Sequence, residues 1–122
     1  MKKLLSSILT SGATKMSEYT PDSWVVLEFT TPKETLHKVF ASWYGGFAGS
    51  DNWKLNSGIT KTRKVDGFWE FDGYSGSVYR CHPHNYHMSS LMHNVLGNWL
   101  ARADERGDVK IRILDLAEVV ES

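Results

Sequence analysis

Apolar and polar positions along the chain alternate mostly with the two-residue period of strands, and once with the period of a helix. Trp24-Val25-Val26-Leu27-Glu28-Phe29 is a run of β-formers and predicts the first strand, ended by Thr31-Pro32-Lys33-Glu34. Leu36 to Tyr44 sets Leu36, Lys38, Phe40 and Ser42 against His37, Val39, Ala41 and Trp43. That alternation predicts a second strand stopped by Gly45-Gly46; a short helix from Pro32 is the competing reading. Gly45, Gly46, Gly49, Ser50, Asp51 and Asn52 make a loop. Trp53 to Lys64 predicts a strand interrupted by a bulge at Asn56-Ser57-Gly58. Asp66-Gly67 is a hairpin signal, with Phe68 to Phe71 pairing back. Asp72-Gly73-Tyr74-Ser75-Gly76 is a further turn before a strand at Ser77 to Cys81. Val109, Ile111 and Ile113 predict a last strand with one buried face.

The helical stretch is the clearest element. Met88, Leu91, Met92, Val95, Leu96, Trp99 and Leu100 form one apolar stripe. Ser89 or Ser90 suits its start and Gly107 its end. Gly97 inside it costs about 1 kcal/mol and is expected where the helix packs closely on the sheet. Leu4, Leu5, Ile8 and Leu9 share one face of a short N-terminal helix. Thr20-Pro21-Asp22-Ser23 separates residues 1–20, an N-terminal segment, from a single domain at 21–122. The expected fold is α+β: an antiparallel sheet of about five or six strands, packed by one long amphipathic helix in the C-terminal half.

Composition narrows the function. A chain of 122 residues with 41% hydrophobic content builds one core without staples. Fourteen basic residues balance fourteen acidic ones, which argues against general nucleic-acid binding. The single cysteine, Cys81, forms no internal disulfide and suits a reducing cytoplasm. Ser6, Ser7, Thr10 and Ser11 break the N-terminal apolar stretch as a secretion signal, and no run is long enough to cross a membrane. Five tryptophans and the apolar N-terminal segment predict a homo-oligomer, a dimer or a multiple of it.

Candidate chemistry gathers between residues 43 and 86, which hold ten of the fifteen aromatics and seven of the ten glycines. Glycines let backbone amides approach an anion, and aromatic faces stack on bases. Trp43, Tyr44 and Trp53 flank the glycine loop. In Tyr74-Ser75-Gly76-Ser77-Val78-Tyr79-Arg80, hydroxyls, amides and a guanidinium suit a phosphate. Strand alternation sets Ser77, Tyr79 and Cys81 on one face, and Val78, Arg80 and His82 on the other, where Arg80 and His82 make a basic pair. Asn94, on the helix rim, suits a base edge or ribose. The expected ligand set is therefore Trp43, Tyr44, Trp53, Tyr74, Ser75, Ser77, Tyr79, Arg80, His82 and Asn94. Against it stands a plainer account: a β-rich core, tight turns, a surface arginine and solvated helix residues.

His82, His84 and His87, with His93 beyond them, invite a metal, but the spacing matches no standard ligand pattern and no carboxylate lies within it. Phosphate contacts or helix-entry hydrogen bonds suit these histidines better. Cys81 and His82 point to opposite faces of a strand, which separates a thiol from its base. No catalytic residue, metal or cofactor is expected.

Trp43-Tyr44-Gly45-Gly46-Phe47, Asp51-Asn52-Trp53-Lys54-Leu55-Asn56-Ser57-Gly58-Ile59 and Gly73-Tyr74-Ser75-Gly76-Ser77-Val78-Tyr79-Arg80-Cys81-His82 resemble a family of small proteins encoded by tailed bacteriophages. The N-terminal segment and His84 to His87 lie outside the resemblance. It implies an accessory protein acting in the host bacterial cytoplasm against immunity, by analogy with the sponges that sequester nucleotide messengers of CBASS and Thoeris systems. Such analogy concerns class rather than fold. The leading expectation is a non-catalytic binder of a nucleotide-derived messenger. The alternatives are an inhibitor that binds a host defence protein directly, and a hydrolase of a cyclic nucleotide using the histidine cluster.

Overall fold

A computed structural model describes residues 17–45 and 51–121. The strands are β1 (Glu18–Tyr19), β2 (Ser23–Thr30), β3 (Thr35–Trp43), β4 (Asn52–Leu55), β5 (Ile59–Val65), β6 (Phe68–Gly73), β7 (Val78–Cys81) and β8 (Lys110–Ile113). A 3-10 turn at Pro83–Asn85 precedes helix α1 (Ser90–Arg106), and helix α2 (Leu116–Glu121) follows β8. The strands form two sheets of four. A central sheet runs β4-β3-β2-β8 and an outer sheet runs β1-β7-β6-β5.

The chain is thus α+β and mostly strand, as expected, but the single sheet of five or six strands is corrected to two sheets. The unbroken apolar run of β2 explains the layering. Trp24 and Val26 enter a core between the sheets, with Val39 and Ala41 of β3 and Phe71, Tyr79 and Cys81 of the outer sheet. Val25 and Leu27 enter a second core, with Phe40 of β3 and Met92 and Leu96 of α1. Strand side chains alternate between faces, so a strand covered on both sides must be apolar throughout. The central sheet is therefore the middle of three layers.

The predicted bulge at Asn56-Ser57-Gly58 is instead the crossover between sheets, since β4 pairs with β3 and β5 pairs with β6. Asn56 is buried there and substitutes for a strand partner. Its N–H donates to the Val39 carbonyl at 2.9 Å, and its Oδ1 accepts from the Val39 and Gly58 amides, each at 3.1 Å. Gly58, at φ +134°, turns the chain through backbone space that side chains avoid.

Other expectations stand or shift for local reasons. Asp66 and Gly67 have φ of 52° and 82°, the two positive values a tight hairpin needs. Ser89 caps α1 by accepting from Met92 N–H at 3.3 Å, and Gly107 closes it at φ 78°. Gly97 does not pack on the sheet: its position is exposed and open. Leu100 leaves the apolar stripe at 43% exposure, while Ala103 is buried. Ile113 is 40% exposed, so the last strand buries its face only in part. β1 pairs in parallel with β7, Glu18 opposite Val78 and Tyr19 opposite Tyr79. The expected N-terminal helix at Leu4 to Leu9 lies outside the described residues, as does most of the glycine loop.

Candidate functional site: a cleft between the sheets

The inner face of the central sheet is apolar at one end and polar at the other. In β2 it runs Trp24, Val26, Glu28, and β3 sets Ala41, Val39 and His37 beside them. The register also aligns Glu28 with Arg112 of β8. His37 Nε2 stands 3.0 Å from Glu28 Oε2, and Arg112 reaches Glu28 Oε1 at 3.3 Å. Arg112 continues to Glu118 of α2 at 3.0 Å, and Glu118 accepts the Asp115 amide at 2.8 Å. The hydrogen bond with His37, helped by Arg112, holds the Glu28 carboxyl below its usual range although partial burial opposes it. The Asp115 amide and Arg112 do the same for Glu118.

This network borders a cleft of about 400 Å³. Val26, Phe71, Leu114 and Val119 line its apolar floor; Thr35, His37, Thr60, Lys61, Thr62 and Tyr74 contribute its polar parts. β5 contributes Thr60, Lys61 and Thr62 next to a register shift between Ile59 and Lys61. Tyr74 is 69% exposed, and its ring lies so close to Gly58 that a Cβ there would stand 2.8 Å from it. An ammonium, an imidazole and four hydroxyls around an aliphatic and aromatic floor can bind a small ligand that is apolar at one end and anionic or hydroxylated at the other.

The residues singled out from sequence are distributed over three layers. Trp43 faces the inter-sheet core and donates from Nε1 to the Thr20 carbonyl at 2.9 Å. Trp53 lies on the opposite face of that sheet, edge-on to Phe40 and Trp99 at 5.9 and 5.3 Å. Tyr44 is half exposed, with its amide on Asp22 at 2.8 Å and its hydroxyl accepting from Ser23 at 3.1 Å. Tyr79 is a core residue, and burial pushes its hydroxyl up to about 12. Ser75 bonds Ser57 in the turn, through its amide at 2.9 Å. Ser77 is partly buried and Asn94 is exposed on α1.

Arg80 and His82 do share the far face of the outer sheet. Arg80 is engaged there, with Nε 3.5 Å from Glu70 and the guanidinium 4.1 Å over the Phe68 ring. Phe68 also meets the edge of His82 at 5.1 Å. Of the ten residues, only Tyr74 reaches the cleft, and the described residues do not join Trp43, Trp53 and Arg80 around one cavity.

His82 Nδ1 accepts the His84 amide at 3.1 Å, a helix-entry cap for the 3-10 turn. No cluster of three metal-ligating side chains forms among the described residues. Cys81 is buried, and loss of solvent pushes its thiol well above its ordinary value. Thr35, His37, Thr60, Lys61 and Thr62 were not anticipated as site residues. The available signal was local: on one face of β2 and β3, Val26 and Val39 give way to Glu28 and His37, a change from core to pocket lining.

Fold and cleft together define a three-layer α+β protein with a ligand-sized opening between its sheets. Comparison with protein-family models, curated proteins and solved structures gives no match. No helix among the described residues is long and apolar enough to cross a membrane.

Proposed function

We propose that this protein binds a small nucleotide-derived ligand in the cleft between its sheets and sequesters it without chemical change. The observation that carries the reading is the cleft's division into an apolar floor, including the Phe71 ring, and a polar set of His37, Lys61 and threonine hydroxyls. A base suits the floor, while ribose and phosphate suit the hydroxyls and the ammonium. The volume of about 400 Å³ lies toward the small end for ligand sites, which suits a ligand of nucleotide size. The resemblance to small bacteriophage proteins supplies the biological half of the proposal, a counter-defence protein that withdraws an immune messenger in the host cytoplasm, acting as an oligomer.

Direct inhibition of a host defence protein is the second reading, favoured by Tyr44 at 49% exposure and Trp53 at 39%. Incubation with mono- and cyclic nucleotides, heat denaturation and mass analysis of what is released separate the readings. Intact release supports sequestration. A changed mass means an enzyme, and no retained nucleotide favours a protein target. Lys61→Ala is expected to weaken nucleotide binding about tenfold, the lower end for a charge-assisted contact at an exposed rim. Unchanged affinity in calorimetry would move the ligand out of the cleft.

A further inference from the structure

A second concavity lies on the opposite face of the central sheet, where the C-terminal half of α1 crosses it. Its volume is about 380 Å³. Phe29, Leu55, Trp99 and Ile111 form an apolar floor, with Arg102 and Arg106 on the helix beside it. Trp99 is held in position by Phe40 and Trp53, at centroid distances of 5.1 and 5.3 Å. The two arginines stand one helical turn apart, a like-charge spacing that is unfavourable unless compensated. Arg106 is compensated by Asp108, through Nε at 3.0 Å and Nη2 at 3.3 Å. Arg102 is exposed and has no ion pair among the described residues. A cation without a counter-charge among the described residues thus overlooks an apolar floor, and no serine, threonine or amide side chain among them lines the groove.

We infer that this groove binds a small anionic amphiphile of the fatty-carboxylate class, its chain against Trp99 and Ile111 and its carboxylate at Arg102. The lining suits this ligand and not a nucleotide, because nothing in it answers a ribose or a base edge. The site is separate from the cleft, so neither proposal depends on the other.

The test uses the full chain, nitrogen-15 labelled, with the five tryptophan indole N–H signals as reporters. Trp99→Phe assigns the Trp99 signal. Octanoate, octanol and octyltrimethylammonium are titrated separately below their aggregation limits. The expected result is a saturable shift of the Trp99 signal with octanoate, at lower concentration than with octanol, and none with the cation. Arg102→Ala, an exposed change that leaves the core intact, is expected to weaken octanoate about tenfold and leave octanol unaltered. An unmoved Trp99 signal, equal affinity for acid and alcohol, or unchanged octanoate affinity in Arg102→Ala would each overturn the inference.

Discussion

Tyr86→Phe removes one oxygen atom and is expected to be among the costliest conservative changes in the chain. The Tyr86 hydroxyl sits between β2 and β8, accepting from the Val26 amide at 3.0 Å and donating to the Leu114 carbonyl. Leu114 N–H reaches the Val26 carbonyl directly at 3.0 Å, so the hydroxyl stands in for the missing return bond of that pair. Val26 and Leu114 are 1% and 3% exposed, which leaves little water to replace it. Burial also pushes this hydroxyl up to about 12, against the effect of the Val26 amide. An orphaned buried donor or acceptor costs about 1–3 kcal/mol. With two orphaned groups and some closing of the strands, the expected loss is about 2–4 kcal/mol. In a domain of this size that lowers Tm by roughly 8–16 °C. Urea unfolding should show a lower midpoint with an unchanged slope. Since Val26 and Leu114 both floor the cleft, the nucleotide affinity proposed for it should fall as well. A loss below about 0.5 kcal/mol would refute the reasoning, because it would mean that the two backbone groups satisfy each other unaided.

Ser89→Ala should cost about 1–2 kcal/mol by removing the cap on Met92 N–H; calorimetric unfolding checks it, and Ser89→Asn should recover part of the loss. Stability should fall in acid. Glu28 and Asp72 both have folded values below their ordinary ones, held there chiefly by His37 and by Arg63 respectively. The unfolded chain therefore binds protons first, so their contribution is complete above the ordinary carboxylate range and is lost as pH falls through the depressed values. Urea midpoints that stay level from neutral pH to about pH 3 would contradict this.

The local elements were legible where the backbone imposes a residue type. Asp66-Gly67 announced its hairpin because both positions need positive φ, as Gly107 does at the end of α1, and Ser89 announced the helix start because its hydroxyl accepts from Met92 N–H. Layering was legible only indirectly. Trp24 to Leu27 is too uniformly apolar for a strand with one wet face, yet that run alone does not say which elements cover it. Asn56-Ser57-Gly58 misled because a bulge and a crossover use the same residues, and the difference lies in which strand Ile59 next meets. The cleft stayed hidden because Thr35, His37, Lys61 and Thr62 come from two strands in different sheets, each unremarkable alone. Sequence alone did not show the surroundings of Arg80, whose Nε stands 3.5 Å from Glu70 and whose guanidinium lies over the Phe68 ring.

The two cores on either side of β2 give the fold separable thermodynamic tiers. Lifting α1 would uncover Val25, Leu27 and Phe40 while leaving the sandwich of Trp24, Val26, Phe71 and Tyr79 closed. Such an opening requires less free energy than global unfolding, so α1 amides should exchange with solvent through partial opening events. Trp24 to Leu27 alternate between the two cores and are covered on both faces, so their backbone is released only when both cores open. The N-terminal half of one strand thus carries the slowest-exchanging backbone of the molecule, and a ligand's effect on helix exchange alone would identify binding on the helical side.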